Sequence, residues 1–166
     1  MKSRYPRTLL ESVATGAASS IAGTLALHLT HEAAYKYAPS TLPPMYEEPG
    51  HFIVRKAASV LPETTRTRIT NGQRDRAASA LSFTYGAIWP ALYLALRGRK
   101  ASVLFDGAAL GFAVWGIGYL GWLPKLRLSP PVSQQTPMQI VNNVAQHALY
   151  GALTVAAWRG IRAALD

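Results

Sequence analysis

The charges of this chain are gathered into clusters, and the stretches between the clusters are long. No Asp, Glu, Lys or Arg lies in the 20 residues between Glu11 and Glu32, or in the 20 between Arg76 and Arg97. The 24 residues between Lys100 and Lys125 hold only Asp106, and the 31 between Arg127 and Arg159 hold none. A helix needs about 20 apolar residues to cross a bilayer, because each residue adds only about 1.5 Å of rise. Four such stretches in 166 residues predict an all-α fold: an integral membrane four-helix bundle. The chain then forms one transmembrane domain over 1–166, with helices near 9–31, 77–97, 103–123 and 138–160. The alternative is a soluble four-helix bundle with an alanine-rich core. It requires more charge on the outer helix faces than these segments carry.

Composition narrows the choice. Half of the chain is hydrophobic (49%) and 15% is charged, against about 25% charged in an ordinary soluble domain. That composition excludes disorder. The absence of cysteine excludes disulfides, thiolate metal sites and cysteine nucleophiles. The net charge of +9 sits at the ends of the apolar stretches, where Lys and Arg anchor helices and meet anionic headgroups. The expected partner is therefore the lipid bilayer, with a homo-oligomer or another membrane protein as further partners, and no nucleic acid. Lys2, Arg4 and Arg7 look like the start of a signal peptide, but Glu11 interrupts and the apolar stretch runs past His28. This reads as an uncleaved first helix. Basic residues favour the cytoplasmic side. The N-terminal cluster, Arg97–Lys100 and Arg159 with Arg162 then place both termini in the cytoplasm, with loops 32–76 and 124–137 outside.

The first of those loops has internal structure. Pro39, Pro43, Pro44 and Pro49 oppose a helix across the proline-rich stretch 39–49. A short interfacial helix is expected at 51–61, with Phe52, Ile53, Val60 and Leu61 on one face and Arg55, Lys56 and Ser59 on the other. Asn71-Gly72 reads as a turn before the second long helix. In the second loop, Pro137 suits the first position of the last helix.

Small residues mark the helix contacts. Ser12, Gly16, Ser20, Thr24 and His28 recur every fourth position. Gly107 and Gly111 form a G-x-x-x-G pair, and Gly151 continues a stripe from Asn143 through His147. Such residues let membrane helices approach closely. Helices one and four, richer in polar residues, are expected to pack inward, and Pro90 to kink helix two.

Two groups of residues suggest chemistry. His147 lies within helix four, one turn after Asn143. An ionisable side chain at membrane depth is a functional candidate, with Asn143, His28, Ser82 and Tyr85 as possible partners in a polar intramembrane site. His28, His31 and Glu32 share one helix face, and two imidazoles with a carboxylate suit zinc. A hydrogen-bonding cluster is the plainer reading of these three. Asp106 is expected to form a local ion pair with the basic turn at 97–100. The phosphate-loop, serine-nucleophile and dinucleotide signatures are absent, so no catalysis and no cofactor are expected.

Several short motifs carry a family resemblance. They are the small-residue run from Gly16 to Gly23, Leu42-Pro43-Pro44 with Glu47-Glu48-Pro49, and Phe83-Thr84-Tyr85-Gly86. To these are added Gly111-Phe112-Ala113-Val114-Trp115, Leu123-Pro124, Ser129-Pro130-Pro131 and His147-Ala148-Leu149-Tyr150-Gly151. Together they resemble the YagU-type family of bacterial inner-membrane proteins, with Met45 standing where that family would have a basic residue. The resemblance implies a small multi-pass protein of the bacterial inner (cytoplasmic) membrane and supplies no reaction. The functional expectation is a structural or protein-interaction role. The alternatives are a small oligomeric transporter, channel or proton-linked factor using His147 and Asn143, and a membrane metal-dependent enzyme using His28, His31 and Glu32.

Overall fold

A computed structural model describes residues 9–97 and 101–165. Among these residues the chain is all-helical, with no strand. Four long segments dominate: α1 (Leu9–Tyr37), α4 (Asn71–Arg97), α5 (Val103–Trp115) continued by a π-helical turn (Gly116–Trp122) and α6 (Leu123–Lys125), and α7 (Pro137–Leu165). Between α1 and α4 lie α2 (Pro49–Ser59) and the single turn α3 (Glu63–Arg66). The proline-rich stretch holds only a three-residue 3-10 turn, Pro39–Thr41.

The helices run past the predicted boundaries. α1 continues six residues beyond 31, α4 begins at Asn71 rather than 77, and α7 extends to Leu165 rather than 160. Charge marks where an apolar stretch ends, and a helix is free to continue beyond it. The expected turn at Asn71-Gly72 is the first turn of α4. Thr70 caps it: the Thr70 hydroxyl accepts from the Gln73 amide (3.2 Å), and the Thr70 amide donates to Gln73 Oε1 (2.9 Å). Thr136 and Gln139 repeat this reciprocal cap at α7, at 2.9 and 3.3 Å, with Pro137 as the first helical residue. Each box satisfies two amides that have no partner inside the helix.

α1 and α7 form the inner pair. α4 lies along α1, α5 lies along α7, and the backbones of α4 and α5 scarcely meet. Glycine explains the close crossings. A methyl group on Gly16 would stand 2.9 Å from the Ala91 Cα of α4, and one on Gly107 2.6 Å from the Ala152 Cα of α7. One on Gly111 or Gly151 would collide with the backbone across the same α5–α7 crossing. Large side chains fill the wider space on the α4 side, where Leu94, Leu110, Val114, Tyr150, Val155 and Trp158 pack with Tyr85, Trp89 and Tyr93.

α4 passes through Pro90 without a break. Proline has no amide hydrogen, so the Gly86 carbonyl four residues earlier lacks its helical donor. The buried Tyr150 hydroxyl of α7 donates to that oxygen at 2.6 Å.

The two loops expected on one side do meet at one end of the bundle. The Tyr46 amide donates to the Leu128 carbonyl (2.8 Å), and Asn142 Nδ2 donates to Thr41 Oγ1 (3.0 Å). α2 sits two residues earlier than the expected 51–61, and its packing face differs. Gly50 and Ala58 are buried with Val54 half-buried, whereas Ile53, Val60 and Leu61 are exposed. The reason is the close approach of Gly50 to the Ala78 backbone of α4, which larger side chains would prevent.

α4 (Asn71–Arg97) and the continuous Val103–Lys125 segment are long and apolar enough to cross a membrane. Among the described residues, α1 and α7 fall short of that apolarity. Ser, Thr, Asn, Gln and His dilute them.

Candidate functional site

The inward face of α7 is polar. Asn143 (3% exposed), Gln146 and Thr154 are buried on it, and His147 is half-buried beside them. His147 Nδ1 lies 2.9 Å from the Asn143 carbonyl, one turn earlier. A carbonyl only accepts, so Nδ1 carries the proton and a neutral ring keeps Nε2 as an acceptor. The Tyr119 ring meets the imidazole edge-on at 5.8 Å and stacks on Trp115 at 6.5 Å. Tyr119 comes from the π-helical turn, whose wider winding carries it toward α7. Turns of this kind recur at functional sites. Its hydroxyl faces the Asn143 amide, yet Asn143 Nδ2 has no partner within hydrogen-bonding geometry. From α1, His31 interacts with the Gln146 side chain and lies within electrostatic range of His147.

Of the residues expected to gather here, the structure brings His147 and Asn143 together and sets His28, Ser82 and Tyr85 elsewhere. His147 and Asn143 are together, through the Asn143 backbone rather than its amide. His28 is not with them: it is exposed and pairs with Glu32 at 3.2 Å. A stripe repeating every four residues drifts by about 40° per step on a helix of 3.6 residues per turn, so His28 has rotated away from the face of Gly16 and Ser20. His31 is also exposed, and it is the α1 histidine on the side of Gln146. Ser82 is engaged elsewhere, donating to Glu48 Oε1 (3.2 Å) and to the Ala78 carbonyl (3.1 Å). Tyr85 accepts from Trp122 Nε1 (3.3 Å) and packs edge-on against Trp89. The metal reading of His28, His31 and Glu32 does not gain a site. Among the described residues no three His, Asp or Glu side chains are placed to hold an ion. Sequence reasoning did not assign Gln146 or Tyr119 to the site. Glycines at 116, 118 and 121 flank Tyr119 in the π-helical turn.

At the opposite end, Asp106 is buried (2% exposed) and paired with Arg97. It also accepts from the Tyr93 hydroxyl at 2.7 Å and from the Ser102 amide. This is the local ion pair expected of it, and it fastens the turn between α4 and α5.

A second polar cluster lies on the loop side. Arg55 donates twice to Glu47, at 2.9 and 2.6 Å, and this fork holds the Glu47 carboxyl below its usual range. His51 stands between two carboxylates, with Nδ1 2.9 Å from Glu48 and Nε2 3.1 Å from Asp75.

Comparison with known protein families, with curated proteins and with solved structures found no match. The resemblance to the YagU-type family rests on its short motifs alone.

Proposed function

We propose that the chain is a small multi-pass integral membrane protein with a structural or protein-interaction role and without catalysis, as in the YagU-type proteins of the bacterial inner membrane that it resembles. One observation carries the reading. Large apolar side chains stand exposed along the flanks of the long helices, among them Leu29, Leu92, Leu96, Phe105, Phe112, Leu120 and Leu153. Ser19 and Ser20 of α1 and Asn143, Gln146 and Thr154 of α7 are buried instead. Water would penalise that arrangement and lipid favours it. α1 and α7 are accommodated as spans because their Ser, Thr, Asn and Gln side chains face protein.

A second reading has an observation of its own: Asn143 Nδ2 is buried without a partner beside the half-buried His147 imidazole at the π-helical turn. That arrangement suits a small oligomeric transporter or proton-linked factor. Proteoliposomes separate the two. The structural reading predicts that the wild type and His147→Gln give the same proton leak as protein-free vesicles. A leak present in the wild type and abolished in His147→Gln establishes the transport reading instead, because an amide cannot carry a proton.

A further inference from the structure

We propose that His51, held between Glu48 and Asp75, is a pH-operated clasp that fastens α2 to α4 when its ring is protonated and loosens α2 when the ring is neutral. The geometry supplies the reason. Glu48 Oε2 lies 2.9 Å from Nδ1 and Asp75 Oδ1 lies 3.1 Å from Nε2. Only the imidazolium donates from both nitrogens. A neutral ring satisfies one carboxylate and presents its lone pair to the other, so loss of one proton turns an attraction into a repulsion.

Little else fixes the start of α2. Glu48 caps that helix by accepting from the His51 amide at 2.8 Å, and it accepts from the Ser82 hydroxyl of α4 at 3.2 Å. The apolar part of the contact centres on Gly50 against Ala78, and α2 buries only Gly50 and Ala58. The neighbouring charges do not replace the clasp. Arg55 is engaged by Glu47 on the α2 side, Lys56 lies over the Phe52 ring of its own helix, and Arg74 of α4 reaches back to the Arg66 carbonyl. Arg76 flanks Asp75 in sequence. Asp75 first, then Glu48, draw the imidazole above its ordinary 6.5 against the opposing effect of burial. A group whose pKa is raised by folding contributes fully below its unfolded value and ceases to contribute as pH rises through its folded value. The clasp is therefore closed below the ordinary imidazole value of 6.5, and it opens as pH rises through the raised value of the folded protein.

Release exposes an amphipathic helix whose half-buried Phe52 and Val54 join the already exposed Ile53 and Val60. Such a helix is suited to enter a headgroup layer. The inference needs only the α2–α4 contact and stands apart from the membrane reading.

The test uses the full chain, which has no cysteine of its own, with spin labels on cysteines placed at the exposed positions Ala57 and Ala80. The label separation is measured at about pH 5 and about pH 9, on either side of the imidazole range. The wild type should give one short separation at the lower pH and lose that population at the higher. His51→Gln and Asp75→Asn should each give distributions independent of pH. An unchanged wild-type distribution, or a response that persists in His51→Gln, overturns the proposal.

Discussion

Residue 90 is proline, so the Gly86 carbonyl depends on a hydroxyl from another helix. The Tyr150–Gly86 bond is thus a repair of α4 made by α7, and its worth is conditional. Tyr150→Phe should destabilise the wild type by about 1–3 kcal/mol, the cost of leaving a buried acceptor unmet. In a Pro90→Ala background the residue 90 amide can serve Gly86, and the same change should cost much less. Unfolding of both single variants and the double variant in detergent measures the coupling. Equal costs in the two backgrounds would mean that proline does not create the need. Two other buried hydroxyls, those of Thr24 and Thr154, lack hydrogen-bond partners. They face Gly86 and Gly23 across helix crossings, where weak contacts from glycine Cα–H groups are available. The glycines differ sharply among themselves. A methyl group on Gly111 would strike the His147 carbonyl, whereas one on Gly160 meets nothing within 4 Å. Gly111→Ala should lower thermal stability by several degrees. Gly160→Ala should leave it unchanged or raise it by up to about 1 kcal/mol through helix propensity. Parallel melting of the two variants checks this pair.

At the scale of elements, the long helices are legible because each contains a stretch of 20 or more residues with almost no charge. Their ends are not, since the edge of an apolar stretch and the end of a helix are different boundaries. Glu32 closes the first apolar stretch while α1 runs on to Tyr37. The starts of α4 and α7 carry a usable signal, Thr70-x-x-Gln73 and Thr136-x-x-Gln139, whose side chains make reciprocal caps. The face of α2 cannot be assigned from side-chain hydrophobicity alone. Its contact with α4 is set by the smallness of Gly50 and Ala58. In the candidate site, His147 and Asn143 are legible as polar residues in an apolar stretch. The outward position of His28 is not, because a repeat of four drifts around the helix. Tyr119 requires the π-helical turn, which no hydrophobic period announces.

At the scale of the molecule, α1 and α7 form a polar and glycine-rich inner pair flanked by the more apolar α4 and α5. Under the proposed membrane reading, the more apolar pair is the one that faces lipid. The Arg97–Asp106 pair fastens one end, and the meeting of the Tyr46 and Leu128 backbones fastens the loops at the other. Cysteine accessibility in sealed vesicles tests the membrane reading most directly. Phe112 is half exposed (52%) on the flank of α5, whereas Thr65 and Ser133 are exposed on the two loops; Ser129 is buried and unsuitable. Single cysteines at Thr65 and Ser133 should react with a membrane-impermeant maleimide from the same side, the outer one. A cysteine at Phe112 should react from neither side until detergent is added. Ready labelling of the Phe112 position in intact vesicles, or labelling of Thr65 and Ser133 from opposite sides, would contradict a bundle that spans the bilayer in this way.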